Sequence, residues 1–186
     1  MRKDMLILAL LGLGCAGWSG TQTKTYRKKL EIPAEIQGYS CGTGYAWFYP
    51  GARLERCTVN RETAFGEANV PPGSIIVLHA DGKPKFVYLS HDAPLVGCQC
   101  RGGSWLGPGE GDTTAFYPSG KLKQCWLAGD QEVQGIPCRD AGGFSAAVFH
   151  HGGGATIFYE NGKLQSCPVS KDFLGIKRGE RLVQGL

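Results

Sequence analysis

The stretch FYPSGKLKQC, residues 116–125, decides the fold because it returns. It reappears as FYENGKLQSC at 158–167 and, more altered, as FYPGARLERC at 48–57. Aligning the phrase brings Ala52, Gly82, Gly120 and Gly162 into one turn column. Downstream, Cys57, Val87, Cys125 and Cys167 share a position, and five residues later an acid recurs: Glu62, Asp92, Asp130 and Asp172. A glycine closes each segment, at Gly66, Gly97, Gly135 and Gly175. EIQGYSC at 35–41 matches EVQGIPC at 132–138, and KRGERLVQ at 177–184 resembles PPGSIIVL at 71–78. Four hairpin phrases with a partial unit at each end are the mark of a repeat architecture.

Each phrase reads as strand, turn, strand. In TTAFY-PSG-KLKQCWL the Pro, Ser and Gly supply the turn. Strict alternation along KLKQCWL puts Leu122 and Gln124 on one face, with Lys123, Cys125 and Leu127 on the other. The turns at 52, 82, 120 and 162 are 30, 38 and 42 residues apart, and the growth lies in RGGSWLGPGEGD (101–112) and RDAGGFSAAVFHHGGG (139–154). The second insertion reads as a further hairpin, SAAVF and ATIFY flanking HHGGG. The fold expected is all-β: tandem antiparallel hairpins forming an elongated sheet or solenoid over residues 30–186.

AWFYPGARL, TTAFYPSGKL and ATIFYENGKL resemble the bacterial variant of MORN repeats, in which an aromatic pair, a short turn and Lys-Leu recur. The resemblance covers the hairpin tips and implies hairpins laid side by side. Some such proteins carry an antitoxin-like label. The motif is structural and implies no catalytic residue. This chain departs from it by its cysteines.

The N-terminus MRKDMLILALLGLGCAG has two basic residues, an apolar run from Met5 to Leu13, and small residues. That is the layout of an export signal, too short to span a bilayer. Because the run ends at Cys15, it resembles a bacterial lipoprotein signal, with residues 1–14 removed and Cys15 lipidated; Gly12 stands where that family prefers Leu. Cleavage near Gly17 without lipid, or an uncleaved membrane-associated segment, are the alternatives. The residue after the cysteine is Ala16 and not Asp, which leans toward the outer membrane if the host has one. Residues 15–29 read as a polar tether, with regular structure from Leu30.

The formal charge of +4 is small and the basic residues are scattered apart from Lys24, Arg27, Lys28 and Lys29, so a nucleic-acid partner is not indicated. Glycine (29) and proline (10) make up about a fifth of the 186 residues, which fits dense turns.

Export places the cysteines in oxidising surroundings. Cys41, Cys100 and Cys138 each follow a unit's glycine, and Cys57, Cys125 and Cys167 each close a hairpin phrase. The economical pairing is Cys41–Cys57, Cys100–Cys125 and Cys138–Cys167, with Cys98 left over and open to alkylation or dimerisation. Six cysteines allow 15 connectivities, so other pairings are open, and buried free thiols are a further alternative. GCQC with the His150 pair has metal-ligand chemistry but lacks the usual Cys-x2-Cys spacing, so no metal site is assigned.

The acid column reads as turn residues rather than a catalytic set, because one acid per repeat makes a row and not a cleft. Ser90, His91 and Asp92 are chain neighbours in a strand-like stretch and do not form a triad. Tyr49, Tyr117 and Tyr159 form an aromatic column whose readings are inter-unit packing or a ligand-stacking strip. The function expected is a non-enzymatic, exported and lipid-anchored binding or scaffold module without cofactor. Its partner would be an envelope protein or glycan. The alternative is an immunity or antitoxin-like inhibitor of a partner enzyme.

Overall fold

The structure is a computed structural model and describes residues 24–103, 113–140 and 154–185. The signal, Cys15, the start of the tether, most of both insertions and the proposed SAAVF strand with His150 lie outside the described residues.

The described residues form eighteen strands. In chain order they are β1 (Tyr26–Leu30), β2 (Ala34–Ile36), β3 (Tyr39–Cys41), β4 (Gly44–Tyr49), β5 (Arg53–Thr58), β6 (Thr63–Phe65), β7 (Ala68–Val70), β8 (Ile75–Leu78) and β9 (Pro84–Tyr88). There follow β10 (Ala93–Leu95), β11 (Cys98–Cys100), β12 (Thr114–Phe116), β13 (Leu122–Cys125), β14 (Gln131–Val133), β15 (Ile136–Cys138), β16 (Thr156–Phe158), β17 (Leu164–Pro168) and β18 (Arg181–Val183). Ten of them make one sheet, ordered β1-β4-β5-β8-β9-β12-β13-β16-β17-β18. The other eight pair as four small hairpins, β2-β3, β6-β7, β10-β11 and β14-β15. Each small hairpin falls between consecutive parts of the large sheet, the first between β1 and β4 and the rest between successive large hairpins, so the polypeptide alternates between two layers. The all-β hairpin array read from the sequence is the fold.

Three of the four large hairpins share one tip, while the first has positive φ at both Gly51 and Ala52. At the third, Tyr117 N–H donates to Lys121 O and Gly120 N–H to Tyr117 O, both at 2.8 Å, with Gly120 at φ 86°. The same pair of bonds closes the tips at Gly82 and Gly162. Each tip is followed by a bulge. Phe116 lies opposite Leu122, yet Ala115 lies opposite Gln124, so Lys123 is an extra residue. Register shifts at the same place insert Glu55, Lys85 and Gln165 in the other three hairpins. The bulge overturns the expected face assignment. Leu122, Cys125 and Leu127 are all buried, while Gln124 and Lys123 are not. One inserted residue reverses the parity of a strand, so strict alternation across it fails.

The core lies between the layers. Phe65, Val70, Leu95, Cys100, Val133 and Cys138 of the small hairpins meet Leu54, Ile76, Val87, Phe116, Leu122 and Leu164 of the sheet, all buried. Disulfides Cys41–Cys57, Cys100–Cys125 and Cys138–Cys167 bolt the layers together, each with Cα atoms 5.7 Å apart. Closing loops of this length contributes about 3 kcal/mol each in the chain-entropy account. In the second unit Val70 and Val87 hold the two cystine positions, and both are fully buried.

The small-hairpin turns also hold the tips. Gln37 Oε1 accepts the Leu54 N–H at 3.0 Å, and Gln134 Oε1 accepts that of Leu164 at 3.0 Å. In the third unit the matching turn residue is Val96, which has no acceptor. Leu122 N–H is met instead by Glu67 Oε1, from the small hairpin before, at 2.8 Å. Glu67 is free to do this because its own unit has Pro84 in the Leu position, with no N–H to satisfy. The β6-β7 turn is correspondingly different. Gln37-Gly38, Val96-Gly97 and Gln134-Gly135 have positive φ at both residues, whereas Gly66 precedes Glu67 and Gly66 alone has positive φ. A Cβ on Gly66 would run into the Gly120 carbonyl, so the close approach of the two turns requires glycine there.

The sheet starts earlier than expected, at Tyr26 within the stretch read as tether. Its sequence, YRKKL, lacks alternation because β1 is an edge strand with four exposed residues. Charged side chains on an edge deter further strand pairing.

Candidate functional site

The sheet face turned away from the small hairpins carries a straight row. Arg27 is opposite Trp47, Trp47 opposite Arg56, Arg56 opposite Val77, and Val77 opposite Phe86. The row continues through Ala115, Gln124, Ile157 and Ser166 to Val183, one residue from each strand. The bulges make this possible, since the same insertion in every hairpin keeps all ten strands in phase.

The β1-β4-β5 end of the row is aromatic and cationic. In GYAWFY, Ala46 and Phe48 point into the core, so Tyr45 and Trp47 point out. The Arg56 guanidinium lies 4.0 Å from the centre of the Trp47 ring, and that of Arg27 lies 4.7 Å from the Tyr45 ring. Tyr45 and Trp47 are themselves 6.2 Å apart. Phe86 meets Tyr88 edge to face at 5.4 Å, and the Lys85 ammonium sits 5.2 Å from the Phe86 ring. Among the described residues neither Arg27 nor Arg56 makes a salt bridge with a carboxylate, and the buried Arg56 Nε has no hydrogen-bond acceptor. Stacking fixes the plane of a guanidinium and leaves its edge as a fork of donors for a planar anion.

The three tyrosines singled out from the sequence lie on the same face, half-buried, and their hydroxyls bond across the sheet. Tyr49 Oη donates to Leu78 O at 3.0 Å, Tyr117 Oη to Phe158 O at 2.8 Å, and Tyr159 Oη to Gln184 O at 2.7 Å. Each ties its hairpin to the next one along. Burial, then the Glu55 charge, raises the Tyr49 phenol above its ordinary pKa, which keeps it a donor. This geometry is the inter-unit packing reading. The other rings of this face are the exposed Tyr45 and the half-buried Trp47, Phe86 and Tyr88, which repeat alignment misses because they lie off its consensus columns. Alternation within GYAWFY was the signal that could have found the first two.

The acid column sits in turns. Asp92 Oδ1 accepts the Gly102 N–H, Asp130 Oδ1 that of Asp140, and Asp172 Oδ1 that of Arg178, at 2.8, 2.8 and 2.9 Å. The Arg178 amide bond, with Lys177, holds the Asp172 carboxyl below the ordinary range. Ser90 Oγ lies 3.0 Å from His91 Nδ1 and 2.8 Å from Pro72 O, while Asp92 Oδ1 is taken by the Gly102 N–H, so the serine and histidine meet but the aspartate does not complete a triad with them. Cys100 is in a disulfide, which removes one thiolate from GCQC. Cys98 is the one free cysteine among the described residues. It is 2% exposed, and burial pushes its thiol up to about 11. The expectation of a readily alkylated or dimerising Cys98 is therefore corrected: the thiol faces the core in the position that Ala68 and Ile136 fill elsewhere.

No family model, characterised protein or solved structure matches this chain. Three cystines mark a chain of oxidising, extracytosolic surroundings. Among the described residues no helix is long and apolar enough to cross a membrane.

Proposed function

We propose that the protein is an exported, lipid-anchored, non-enzymatic module that binds or scaffolds a cell-envelope component through the outer face of its sheet. The observation that carries this reading is the stacked set Arg27, Tyr45, Trp47 and Arg56, with two guanidiniums that have no carboxylate partner among the described residues, on a sheet cross-linked at this end by the Cys41–Cys57 bond. Export is supported by the cystines, and lipidation by the short apolar run ending at Cys15. The non-enzymatic reading is supported by Asp92, Asp130 and Asp172, each bonded to a turn amide rather than converging with another acid.

Pulldown from envelope extracts tests the binding reading. Wild-type protein should retain a partner that Arg56→Ala releases; equal recovery by both, or no partner at all, counts against it. Palmitate labelling tests the anchor. Wild type should take up label and Cys15→Ser should not; equal labelling refutes lipidation.

A further inference from the structure

We infer that the outer face binds an acidic glycan, a carboxylate-bearing polysaccharide lying along the row of Arg27, Trp47, Arg56 and Phe86; this rests on the binding-module reading above. The row runs perpendicular to the strands, which are spaced about 4.8 Å apart. Arg27 and Arg56 are two strands apart, so their backbones are separated by about 10 Å, with Trp47 between them. Phe86 lies a further two strands on. A polyuronate offers matching chemistry, a carboxylate on every ring for the guanidinium forks and C–H surface for the aromatic rings.

Charge favours this occupant. Lys85, over Phe86, adds a cation to the same stretch, while Lys29, opposite Tyr45, is paired with Glu31 at 3.1 Å. The neighbouring acid, Glu55, forms no salt bridge with Arg56. Contacts spread along several strands also favour a polymer over a small anion. One exposed ion pair contributes little, but successive contacts on one chain act at high effective concentration. A nucleic acid shares the polyanionic character, but the cystines place this chain where free nucleic acid is not the expected partner.

The test is calorimetric titration of the oxidised full chain in detergent with hexagalacturonate, neutral cellohexaose and a thymidine hexanucleotide. Hexagalacturonate should bind and cellohexaose should not. Arg56→Lys keeps the charge and loses the fork, and should weaken binding about tenfold; Arg27→Lys should act in the same direction. Lys171→Ala, exposed and off the row, should stay within about twofold. Near-UV dichroism and disulfide mapping certify each variant's fold, and either Arg variant alone suffices should the other misfold. The inference is overturned by no binding of hexagalacturonate, by equal binding of the oligonucleotide, or by Arg variants that behave like Lys171→Ala. If hexagalacturonate fails while envelope pulldown still depends on Arg56, the glycan is wrong and the module stands; an acidic protein is then the partner. If both fail, both readings fall.

Discussion

Glu67 accepts the backbone N–H of Leu122, 55 residues away, at 2.8 Å, while its other oxygen meets Lys121 Nζ at 2.8 Å. One carboxylate thus joins the second small hairpin to the third large one, passing over the hairpin between them. Burial works against its charge, but the Leu122 amide and the Lys121 ammonium outweigh that and hold the carboxyl below its ordinary value of 4.5.

A group with a depressed folded pKa stabilises above its unfolded pKa and loses that contribution as pH falls through the folded one. Glu67→Gln should therefore unfold with a shallower acid slope below about pH 4.5 than wild type, and match it near neutrality to within about 1 kcal/mol because the amide oxygen still accepts from Leu122. Glu67→Ala should cost about 1.5–3 kcal/mol at neutral pH. Denaturant titrations at pH 3 to 7 check both; an unchanged acid slope in the Gln variant would show that Glu67 is not linked to folding.

Val70 and Val87 stand where the other units have a cystine. The double substitution Val70→Cys with Val87→Cys should form a fourth disulfide, because the equivalent backbones hold their Cα atoms at 5.7 Å. Non-reducing peptide mapping will show the 70–87 cross-link. Two free thiols in the folded double variant would mean that this unit is spaced differently.

Leu122 is 2% exposed, and Lys123 beside it is the bulge residue. Leu122→Ala should cost about 2–5 kcal/mol and Lys123→Ala no more than about 0.5. Deleting residues 179–186 should cost at least as much as Leu122→Ala, since it removes the buried Leu182 opposite Cys167 and the Gln184 carbonyl that Tyr159 bonds. Chemical denaturation of the three orders them, and a damaging Lys123→Ala would contradict the bulge register.

The Cys98 thiol should resist iodoacetamide in the native oxidised protein at pH 8 and react fully in denaturant, since burial both shields it and raises its pKa to about 11. Mass spectrometry of the alkylated protein measures this; rapid native labelling would place the thiol on the surface.

Thr114 Oγ1 is buried with no hydrogen-bond partner among the described residues. Thr114→Val removes a desolvated hydroxyl at nearly constant volume and should raise stability by roughly 1 kcal/mol. A loss of that size would mean the hydroxyl is bonded after all.

What the sequence disclosed was whatever recurs. Gly82, Gly120 and Gly162 were readable as tips because a tip repeats, and the cystines were readable because two cysteine columns alternate. The bulge was hidden although it recurs, because an extra residue such as Lys123 leaves no compositional mark and shows only against the opposite strand. The Glu67–Leu122 bond was hidden because it joins non-neighbouring units. Trp47 and Arg56 were passed over for a third reason: they occur once. Repeat alignment discards what differs between units, and the stacked Trp47 and Arg56 are such a difference.

The two ends of the sheet bear on how such a protein could change in length. One border is the exposed, basic Tyr26–Leu30; the other is the three-residue Arg181–Val183. Neither border offers a long apolar strip for further pairing, whereas each interior unit brings its own tip, bulge and layer-to-layer anchor. A gene duplication that copied one interior unit in frame would therefore lengthen the array without requiring new border residues. Growth inside and closure outside are separately encoded, so the number of units is free to vary while the terminal strands are not.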